Sequence, residues 1–489
     1  MRNALLATSS FLGLASAAGL NLNINDDASI RNAAATAAYG LMKYYDNNAS
    51  TTPAGNVGLL NPPYYWWESG AMWGGMVDYW AYTGDQSYVV ATQDALAAQL
   101  GPAEDLIIPA HRGDEGNDDQ AFWALTHMSA AELHFPSLGP SQPSYLTVAT
   151  NAFNNIASRW DTATCGGGFK WQIYPENSYG YNYKNSISNG AFLQLAARLA
   201  RYTGNSTYID YAERTWHWMW HIGLINHDSF AVYDGTDDRQ NCSEVNHIQF
   251  SYNVAVLLHG AASIYNATTG SVQHMWARRV LGLLQNINST FVTNEGNFPN
   301  KTGIMFEVAC EPHDNCNTDM QSFKAYMGRW LGKTAALCPL LGDRIMALLR
   351  TNAEAAAESC TGGTDGVTCG TKWYVGGYDG AWGVGQQMSA LEVVQSLLAL
   401  EARPHKERGV VLPLVYGNRN TGGSAPSSGS SAPVARPTTN PTGLAAPGPT
   451  GPDQTAAVQS AGYYSAASRV MKRLAVAMGV AMAVGPAGR

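Results

Sequence analysis

Charged residues are scarce in this chain of 489 residues: Asp, Glu, Lys and Arg together make up 13%, against about 25% in typical soluble domains. The 29 Lys and Arg residues are outnumbered by 37 Asp and Glu residues, and they form no basic run. Proteins that follow a phosphate backbone present a basic patch. We therefore expect no nucleic-acid partner.

The chain also lacks the usual spacings of metal sites. None of its seven Cys residues forms the C-x-x-C pair of zinc sites. His217 and His221 stand four residues apart, but the Glu of an H-E-x-x-H zinc motif is absent. Asp234, Asp237 and Asp238 are acidic like a calcium loop, without its Gly at position six or its Glu at position twelve. The sequence therefore predicts no metal and no cofactor.

Aromatic and small residues are abundant instead. Hydrophobic residues make up 45% of the chain, which also holds 50 Gly, 14 Trp and 25 Tyr. Trp and Tyr present an apolar ring with one polar group, and such rings stack on sugars. This composition suits a secreted protein that handles carbohydrate.

The N-terminus has the layout of a cleavable secretory signal, predicted over residues 1–18. Arg2 precedes an apolar run from Ala4 to Ala15, and small residues follow the run. We therefore expect entry into the secretory pathway. In that compartment Asn-X-Ser/Thr sequons accept glycans, and the chain carries six, at Asn48, Asn205, Asn241, Asn266, Asn288 and Asn300.

The composition changes at the C-terminal end. Residues 417–459 are rich in Gly, Ser, Pro and Thr without hydrophobic periodicity, which is typical of a flexible stalk. Residues 460–489 supply small residues, a spacer and an apolar tail, the pattern of a removable glycosylphosphatidylinositol (GPI) anchor signal. We predict Ser460 as the anchored residue, with the protein on the outer face of the plasma membrane or in the cell wall. A membrane span and an unmodified C-terminus stay as alternatives.

Seven Cys residues in an oxidising compartment should pair and leave one over. We expect three disulfides, two of them between near neighbours in the sequence: Cys310–Cys316, Cys360–Cys369 and Cys165–Cys242. Cys338, at the end of an apolar helical stretch, is then the free thiol.

Residues 19–410 are predicted to be helical throughout. Apolar positions recur at intervals of three and four in twelve stretches, most of them bounded by Gly, Pro or Asn. The stretches centre near residues 36, 76, 93, 126, 151, 196, 214, 257, 280, 328, 350 and 393. Because helix hairpins that repeat six times can close into a ring, we predict an all-α fold, an (α/α)6 toroid of six helix hairpins.

Such a toroid needs inner helices that are buried all round and outer helices that are amphipathic. Residues 254–264 are apolar on nearly every side and predict an inner helix, whereas residues 208–221 and 275–287 predict outer helices. Aromatic, amide and acidic residues mark five expected inner-helix starts, at 64–68, 116–120, 185–189, 250–253 and 317–319. If these starts meet on one face of the toroid, they form a cleft suited to a sugar chain.

Asp118 and Asp119 are the most specific local feature. Gly116 allows the chain to turn, Asn117 can cap the following helix, and carboxylates are favoured in a first helical turn. A purely structural role therefore stays open. The alternative is glycoside hydrolysis, which uses two carboxyl groups about the scissile bond. Mutual repulsion would raise the pKa of one carboxyl and leave the other ionised, as an acid and a nucleophile require.

At these residues the sequence resembles glycoside hydrolase family 76, the α-1,6-mannanases, and particularly its fungal cell-wall branch with a lipid anchor. The resemblance covers residues 25–405. It rests on six motifs in the right order: 66–70 (WWESG), 116–120 (GNDDQ), 183–190 (YKNSISNG), 232–235 (VYDG), 249–253 (QFSYN) and 316–324 (CNTDMQSFK). The family fold is an (α/α)6 toroid and the family reaction is retaining.

The resemblance implies Asp118 as the nucleophile and Asp119 as the general acid/base. It also implies sugar ligands within its motifs, at Trp66, Trp67, Asn189, Asp234, Tyr252, Asn253 and Lys324. A core role is an equal alternative for the three aromatic residues among them.

The implied activity is that of a retaining, endo-acting α-1,6-mannosidase or transglycosidase of the fungal cell wall. Its substrate would be α-1,6-mannan or the mannose-containing glycan of GPI-anchored proteins, with wall β-glucan as the acceptor. Two other classes stay open: a wall adhesin that binds glycans without cutting them, and a toroid lyase or epimerase.

Overall fold

The computed structural model describes residues 19–401, so the predicted signal, stalk and anchor segments, with Ser460, lie outside the described residues. Within residues 19–401 there are twelve helices of ten residues or more, and each predicted centre lies inside one of them. They are α1 (Asp27–Met42), α2 (Trp66–Thr83), α3 (Val89–Ala98), α4 (Asn117–Glu132), α5 (Tyr145–Ala157), α6 (Ser186–Thr203), α7 (Thr207–His221), α8 (Ser251–Ala267), α9 (Gly270–Thr290), α10 (Phe323–Leu337), α11 (Pro339–Ser359) and α12 (Val384–Gln395).

The even-numbered helices form a closed inner ring. Each packs against the next, from α2 through α4, α6, α8 and α10 to α12, and α12 packs against α2. The odd-numbered helices lie outside, with α3, α5, α7, α9 and α11 each against the helix before it and α1 against α12. The predicted (α/α)6 toroid is confirmed.

Burial follows the predicted division into inner and outer helices. Helix α8 is buried on nearly all sides, whereas α7 buries a stripe that includes Ile209, Ala212, Trp216 and Met219. Gly260 of α8 lets two inner helices approach closely, because a Cβ there would lie 2.6 Å from Leu193 Cδ2 of α6. The inner core is therefore continuous from helix to helix.

The connections at the two ends of the ring differ in length. Segments that lead from an inner helix to its outer partner are short, such as 84–88 and 204–206, whereas those that lead into an inner helix are long, such as 158–185, 222–250 and 291–322. The long segments gather where the inner helices begin. One end of the toroid therefore carries most of the loop residues that can build a site.

A small antiparallel sheet stands at this end, beside the start of α6. Its strands are β1 (Tyr183–Asn185), β2 (Gly235–Asp237) and β3 (Val245–Asn246), in the order β1-β2-β3. Asn185 pairs with Gly235 and is also the N-cap of α6. The sheet therefore fixes the residue at which α6 begins.

Three disulfides fasten the long segments, and all three predicted pairs are confirmed. They join Cys165 to Cys242, Cys310 to Cys316, and Cys360 to Cys369. Cys338 is buried and free, as expected. Since disulfides persist in oxidising compartments, the domain is a secreted or extracellular one. Among residues 19–401, no helix combines the length and apolar character that crossing a bilayer requires.

Candidate active site

Helix α4 begins with the two predicted catalytic carboxylates. Gly116 is the N-cap, and its backbone N–H donates to Asp119 Oδ2 at 2.6 Å. Asn117 was expected to cap the helix, but it is the first helical residue, and its side chain donates to the Lys170 carbonyl and accepts from Arg159. The glycine at position 116 leaves room for both carboxylates at the helix start.

The spacing of the two carboxyl groups follows from Gly116. A Cβ built there would lie 2.5 Å from Asp118 Oδ1 and 2.8 Å from Asp119 Oδ2, so these two oxygens are no farther apart than the sum of those distances. That limit is below the roughly 6.5 Å at which inverting pairs begin, and it falls within the roughly 5 to 5.5 Å of retaining pairs. Neighbouring residues of one helix therefore do reach a common space, and a side chain at position 116 would displace the two carboxyls.

The two carboxyls differ in protonation. Burial raises the pKa of Asp118 to about 7, although hydrogen bonds, including one from the Asn185 amide, lower it. Burial and the charge of Asp118 raise the pKa of Asp119 well above its ordinary value. The two groups titrate as a coupled pair, and the charge of Asp118 favours the protonated form of Asp119.

Asn185 holds Asp118 in place. Its Nδ2 donates to Asp118 Oδ2 at 3.2 Å, while its Oδ1 accepts from the Ser188 backbone N–H at 3.1 Å. One side chain therefore caps α6 and binds a carboxylate of α4. Asn185 lies in the 183–190 motif, but nothing in its local sequence distinguishes it from an ordinary N-cap.

A third carboxyl comes from the segment before α10. Asp319 Oδ1 accepts from the Trp67 indole N–H at 3.2 Å, and burial raises the pKa of Asp319 to about 6. The Trp67 ring is half-buried and packs on Phe122 and Tyr326, with centroid distances of 4.8 and 5.7 Å. Asp319 therefore orients Trp67 beside α4, at the mouth of the ring.

A fourth carboxyl, that of Glu68, is fully buried next to Trp67. Glu68 accepts from the Tyr65 backbone N–H through Oε2, and its Oε1 has no hydrogen-bond partner among the described residues. Burial and the charge of Asp319 raise the pKa of Glu68 well above its ordinary value. Because Glu68 is fully buried, it is closed off from a substrate, and its raised pKa favours the protonated form.

The model of glycosyl hydrolase family 76 matches residues 29–408. The chain belongs to glycosyl hydrolase family 76. A curated relative, mannan endo-1,6-alpha-mannosidase DCW1 of Saccharomyces cerevisiae, is 42% identical over 420 residues, which are 86% of this chain and 88% of the relative. DCW1 of Candida glabrata is 44% identical over 399 residues, which are 81% of this chain and 85% of the relative.

Solved structures of the family share the toroid. Dfg5 from Chaetomium thermophilum, crystallised in complex with glucosamine, matches with a TM-score of 0.73 and 41% identity over 78% of this chain and 93% of that chain. An inactive variant of the α-1,6-mannanase GH76A of Salegentibacter, in complex with α-1,6-mannotriose, has a TM-score of 0.59 and 17% identity over 77% of this chain and 100% of that chain. The second likeness supports the fold.

Several predicted sugar ligands of this family 76 domain are buried and bonded to protein. The Trp66 ring stacks on Trp123, and its indole N–H donates to Gln99. Asn189 bonds to both backbone groups of Phe169. Lys324 Nζ lies 2.8 Å from Glu311 Oε1. These three side chains support the walls of the site and are closed off from its open space.

The other predicted ligands lie beside the starts of α6 and α8. Tyr252 is half-buried and stacks on Phe323 with a centroid distance of 3.8 Å. Asp234 Oδ2 accepts from the Tyr183 hydroxyl at 2.7 Å, and burial raises the pKa of Asp234 to about 6. Asn253 is fully buried. Within this group, Tyr252 is the side chain that is partly exposed.

The residues weighed as metal ligands have other partners or lie at the surface. Asp237 pairs with Arg239 and Asp238 with Lys170, while His217 is exposed on α7. Among the described residues, no group of three or more His, Cys, Asp or Glu side chains is placed to hold a metal ion.

The predicted glycan acceptors all reach the surface. Asn288 is half-exposed. The other five are exposed: Asn48, Asn205, Asn241, Asn266 and Asn300. Glycosylation at these positions stays a prediction, since surface exposure is required for it but does not demonstrate it.

Sequence reasoning missed the start of the sixth inner helix. Residues 378–383 lead into α12 and carry Trp382, whose side chain is exposed. The signal was present in the sequence as an aromatic and acidic segment, YDGAWG, directly before an apolar helix. Asp319 was missed as a site residue because only the fold brings it to Trp67.

Proposed function

We propose that this domain is a retaining, endo-acting α-1,6-mannosidase or transglycosidase of the fungal cell wall. The observation that carries the proposal is the closeness of the Asp118 and Asp119 carboxyls at the start of α4, where the pKa values of both are raised. The spacing favours a retaining reaction over an inverting one.

In the proposed first step, a carboxylate oxygen of Asp118 attacks the anomeric carbon of a mannose unit. The bond from that carbon to the glycosidic oxygen breaks, and Asp119 donates its proton to the departing oxygen. The products are a covalent mannosyl–Asp118 ester and a shortened glycan with a free hydroxyl. Asn185 orients Asp118 for the attack through its hydrogen bond.

In the second step, Asp119 accepts a proton from the incoming hydroxyl, whose oxygen bonds to the anomeric carbon as the ester breaks. Water as the acceptor gives hydrolysis, and a sugar hydroxyl gives transfer. The carboxylates serve both outcomes equally, so the acceptor depends on what binds next to the ester.

The names of the relatives support the substrate, since DCW1 proteins 42–44% identical to this chain are called mannan endo-1,6-alpha-mannosidases. The half-buried rings of Trp67 and Tyr252 suit the faces of mannose units, and Asp319 suits their hydroxyls. We propose α-1,6-mannan or the glycan of GPI-anchored proteins as the donor and β-glucan as the acceptor. A GPI anchor at Ser460 would hold the domain at the outer face of the plasma membrane.

The test is incubation of the purified domain with α-1,6-mannohexaose, alone and with laminarihexaose, followed by mass analysis. We expect shorter manno-oligosaccharides alone and, with the β-glucan present, products whose masses join mannose units to laminarihexaose. Cleavage without joined products would restrict the enzyme to hydrolysis. An unchanged mannohexaose with the wild-type domain would contradict the proposed activity.

The anchor has a separate test. Phosphatidylinositol-specific phospholipase should release the native protein from membranes. A mature protein that still ends at Arg489 would contradict the anchor.

A further inference from the structure

Trp382 is the most exposed large aromatic residue among those described, with 65% of its surface accessible. It lies two residues before α12, the inner helix whose start the motifs did not mark. An exposed indole ring leaves a large apolar surface in contact with water. The exposure of Trp382 therefore calls for a functional explanation.

The backbone that carries Trp382 is firmly held. The Asp379 carboxylate accepts backbone N–H groups from Thr371, Lys372 and Ala381 at 2.8 to 3.2 Å. On the other side, the Val384 N–H donates to the Tyr64 hydroxyl at 3.1 Å. The ring is therefore presented by an ordered segment.

The same contacts place Trp382 at the rim of the candidate site. A Cβ on Gly383 would lie 3.2 Å from the Tyr64 hydroxyl, three residues before Trp67. A Cβ on Gly385 would lie 2.8 Å from the Ser322 nitrogen, three residues after Asp319. Trp382 thus flanks the Trp67–Asp319 pair on the side away from α4.

The order of the inner helices gives the distance of Trp382 from the bond that is cleaved. Helix α12 adjoins α2, and α2 adjoins α4, so Trp382 stands two helix spacings, each about 8 to 10 Å, from the start of α4. Tyr65 lies between them. Its side chain is exposed over 44% of its surface, and partial burial and the charges of Asp319 and Glu68 raise its pKa. A chain bound at Asp118 and passing Trp67 and Tyr65 leads toward Trp382.

The surroundings favour a sugar over a protein partner. Trp382 stands between Ala381 and Gly383, beside Gly380, and the nearest other large exposed apolar residue before it in the sequence is Val375, seven residues earlier. A protein interface generally needs a broad buried patch, whereas one flat ring matches the apolar face of one pyranose unit.

We propose that Trp382 is a stacking site for a distal mannose unit of the α-1,6-mannan chain whose bond is cleaved at Asp118 and Asp119. The proposal rests on the proposed function, because it takes the occupant from that activity. It adds a binding site remote from the reacting bond, which would make the enzyme favour long chains over short ones.

The test uses calorimetric binding to the inactive double variant Asp118→Asn/Asp119→Asn, with and without Trp382→Ala. The probes are α-1,6-mannohexaose, α-1,6-mannobiose and laminarihexaose. We expect Trp382→Ala to weaken mannohexaose binding about tenfold, a change of about 1.4 kcal/mol, and to leave mannobiose binding unchanged. Trp382→Phe should recover most of the loss because a ring remains.

Tyr39→Ala is the matched control, since Tyr39 is an exposed aromatic residue on the outer helix α1. Equal losses in the Tyr39 and Trp382 variants would overturn the proposal, and so would unchanged mannohexaose binding without Trp382. A loss confined to laminarihexaose would overturn the assignment to mannan. Cleavage of mannohexaose by the wild-type enzyme is measured separately, so a failure of the proposed activity is distinguished from a failure at Trp382.

Discussion

At the end of the ring where the inner helices begin, the carboxyls of Asp118, Asp119 and Asp319 lie among amides and aromatic rings. None of the ion pairs within residues 19–401 includes them, and the pKa of each is raised, chiefly by burial. Farther along the same helices, Lys333 Nζ lies 2.7 Å from Asp78 Oδ1 and Arg329 Nη2 lies 2.6 Å from Glu392 Oε1. Both of these buried carboxylates, Asp78 and Glu392, are therefore paired with a cation.

Glu132 shows what the cation changes. Burial alone would raise the pKa of Glu132, but Arg198, with Nη2 at 2.8 Å, and Arg201 hold the pKa below its ordinary value. Glu132 therefore keeps its charge and stabilises the fold at neutral pH, and this contribution is lost as the pH falls through its lowered pKa. Asp119 is the reverse case: with a raised pKa, its ionisation costs stability as the pH rises. At Glu132 the cations thus keep a buried carboxylate charged for a structural role, whereas Asp119, without a cation, favours the protonated form that the proposed reaction uses.

Replacing one carboxylate at each end of the ring by an amide should give the largest effect, because it separates the catalytic role from the structural one. Asp118→Asn removes the nucleophile, so turnover of α-1,6-mannohexaose should fall at least about 1,000-fold, while thermal unfolding stays near that of the wild type. Asp78→Asn is the matched variant at the other end. It should lower the unfolding temperature and leave the remaining folded enzyme active; the reverse pattern would contradict the comparison.

Removing a cation from the structural end should cost stability. Arg329→Met leaves Glu392 buried without its partner, and breaking a buried pair in this way costs about 3 to 5 kcal/mol. Urea unfolding measures the change. Arg31→Met is the control, because the Arg31–Glu401 pair is exposed and exposed pairs contribute little. Equal losses in the two variants would mean that burial of the pair does not matter.

The pH profile of kcat/KM tests the end of the ring where the carboxyls have no cation partner. The proposed mechanism requires ionised Asp118 and protonated Asp119, so kcat/KM should fall both below the raised pKa of Asp118 and above that of Asp119. Asn185→Ser can still cap α6 but loses the amide that favours the charged form of Asp118. Its acidic limb should move to higher pH, by about one unit or less. An unchanged limb with lower kcat would assign Asn185 to geometry alone.

The smallest effect concerns the aromatic wall. Trp67→Ala should raise KM for mannohexaose by about tenfold with a modest loss of stability, since its ring is half-exposed. Trp123→Ala, in the fully buried core, should cost about 3 to 5 kcal/mol of unfolding free energy. A Trp67→Ala protein that does not fold would place Trp67 in the core as well.

Much of this architecture could be predicted from local patterns. Apolar spacing located the twelve helices, and the number and placement of Cys residues predicted the disulfides, because both signals lie in short stretches of sequence. Contacts between distant segments could not be read in this way. Asp319 meets Trp67 across 252 residues, and the burial of Trp66 against Trp123 distinguishes it from its neighbour Trp67 only once α2 packs on α4.

The division of labour between Asp118 and Asp119 is the central claim, and azide rescue tests it most directly. The Asp119→Ala variant is given 2,4-dinitrophenyl α-mannobioside, whose leaving group needs no proton, together with sodium azide. The account predicts a glycosyl azide of retained α configuration by proton NMR, and no such product from Asp118→Ala. An α-azide from Asp118→Ala, with a β-azide or no azide product from Asp119→Ala, would exchange the two roles, and full activity in both variants without azide would remove the pair from the mechanism.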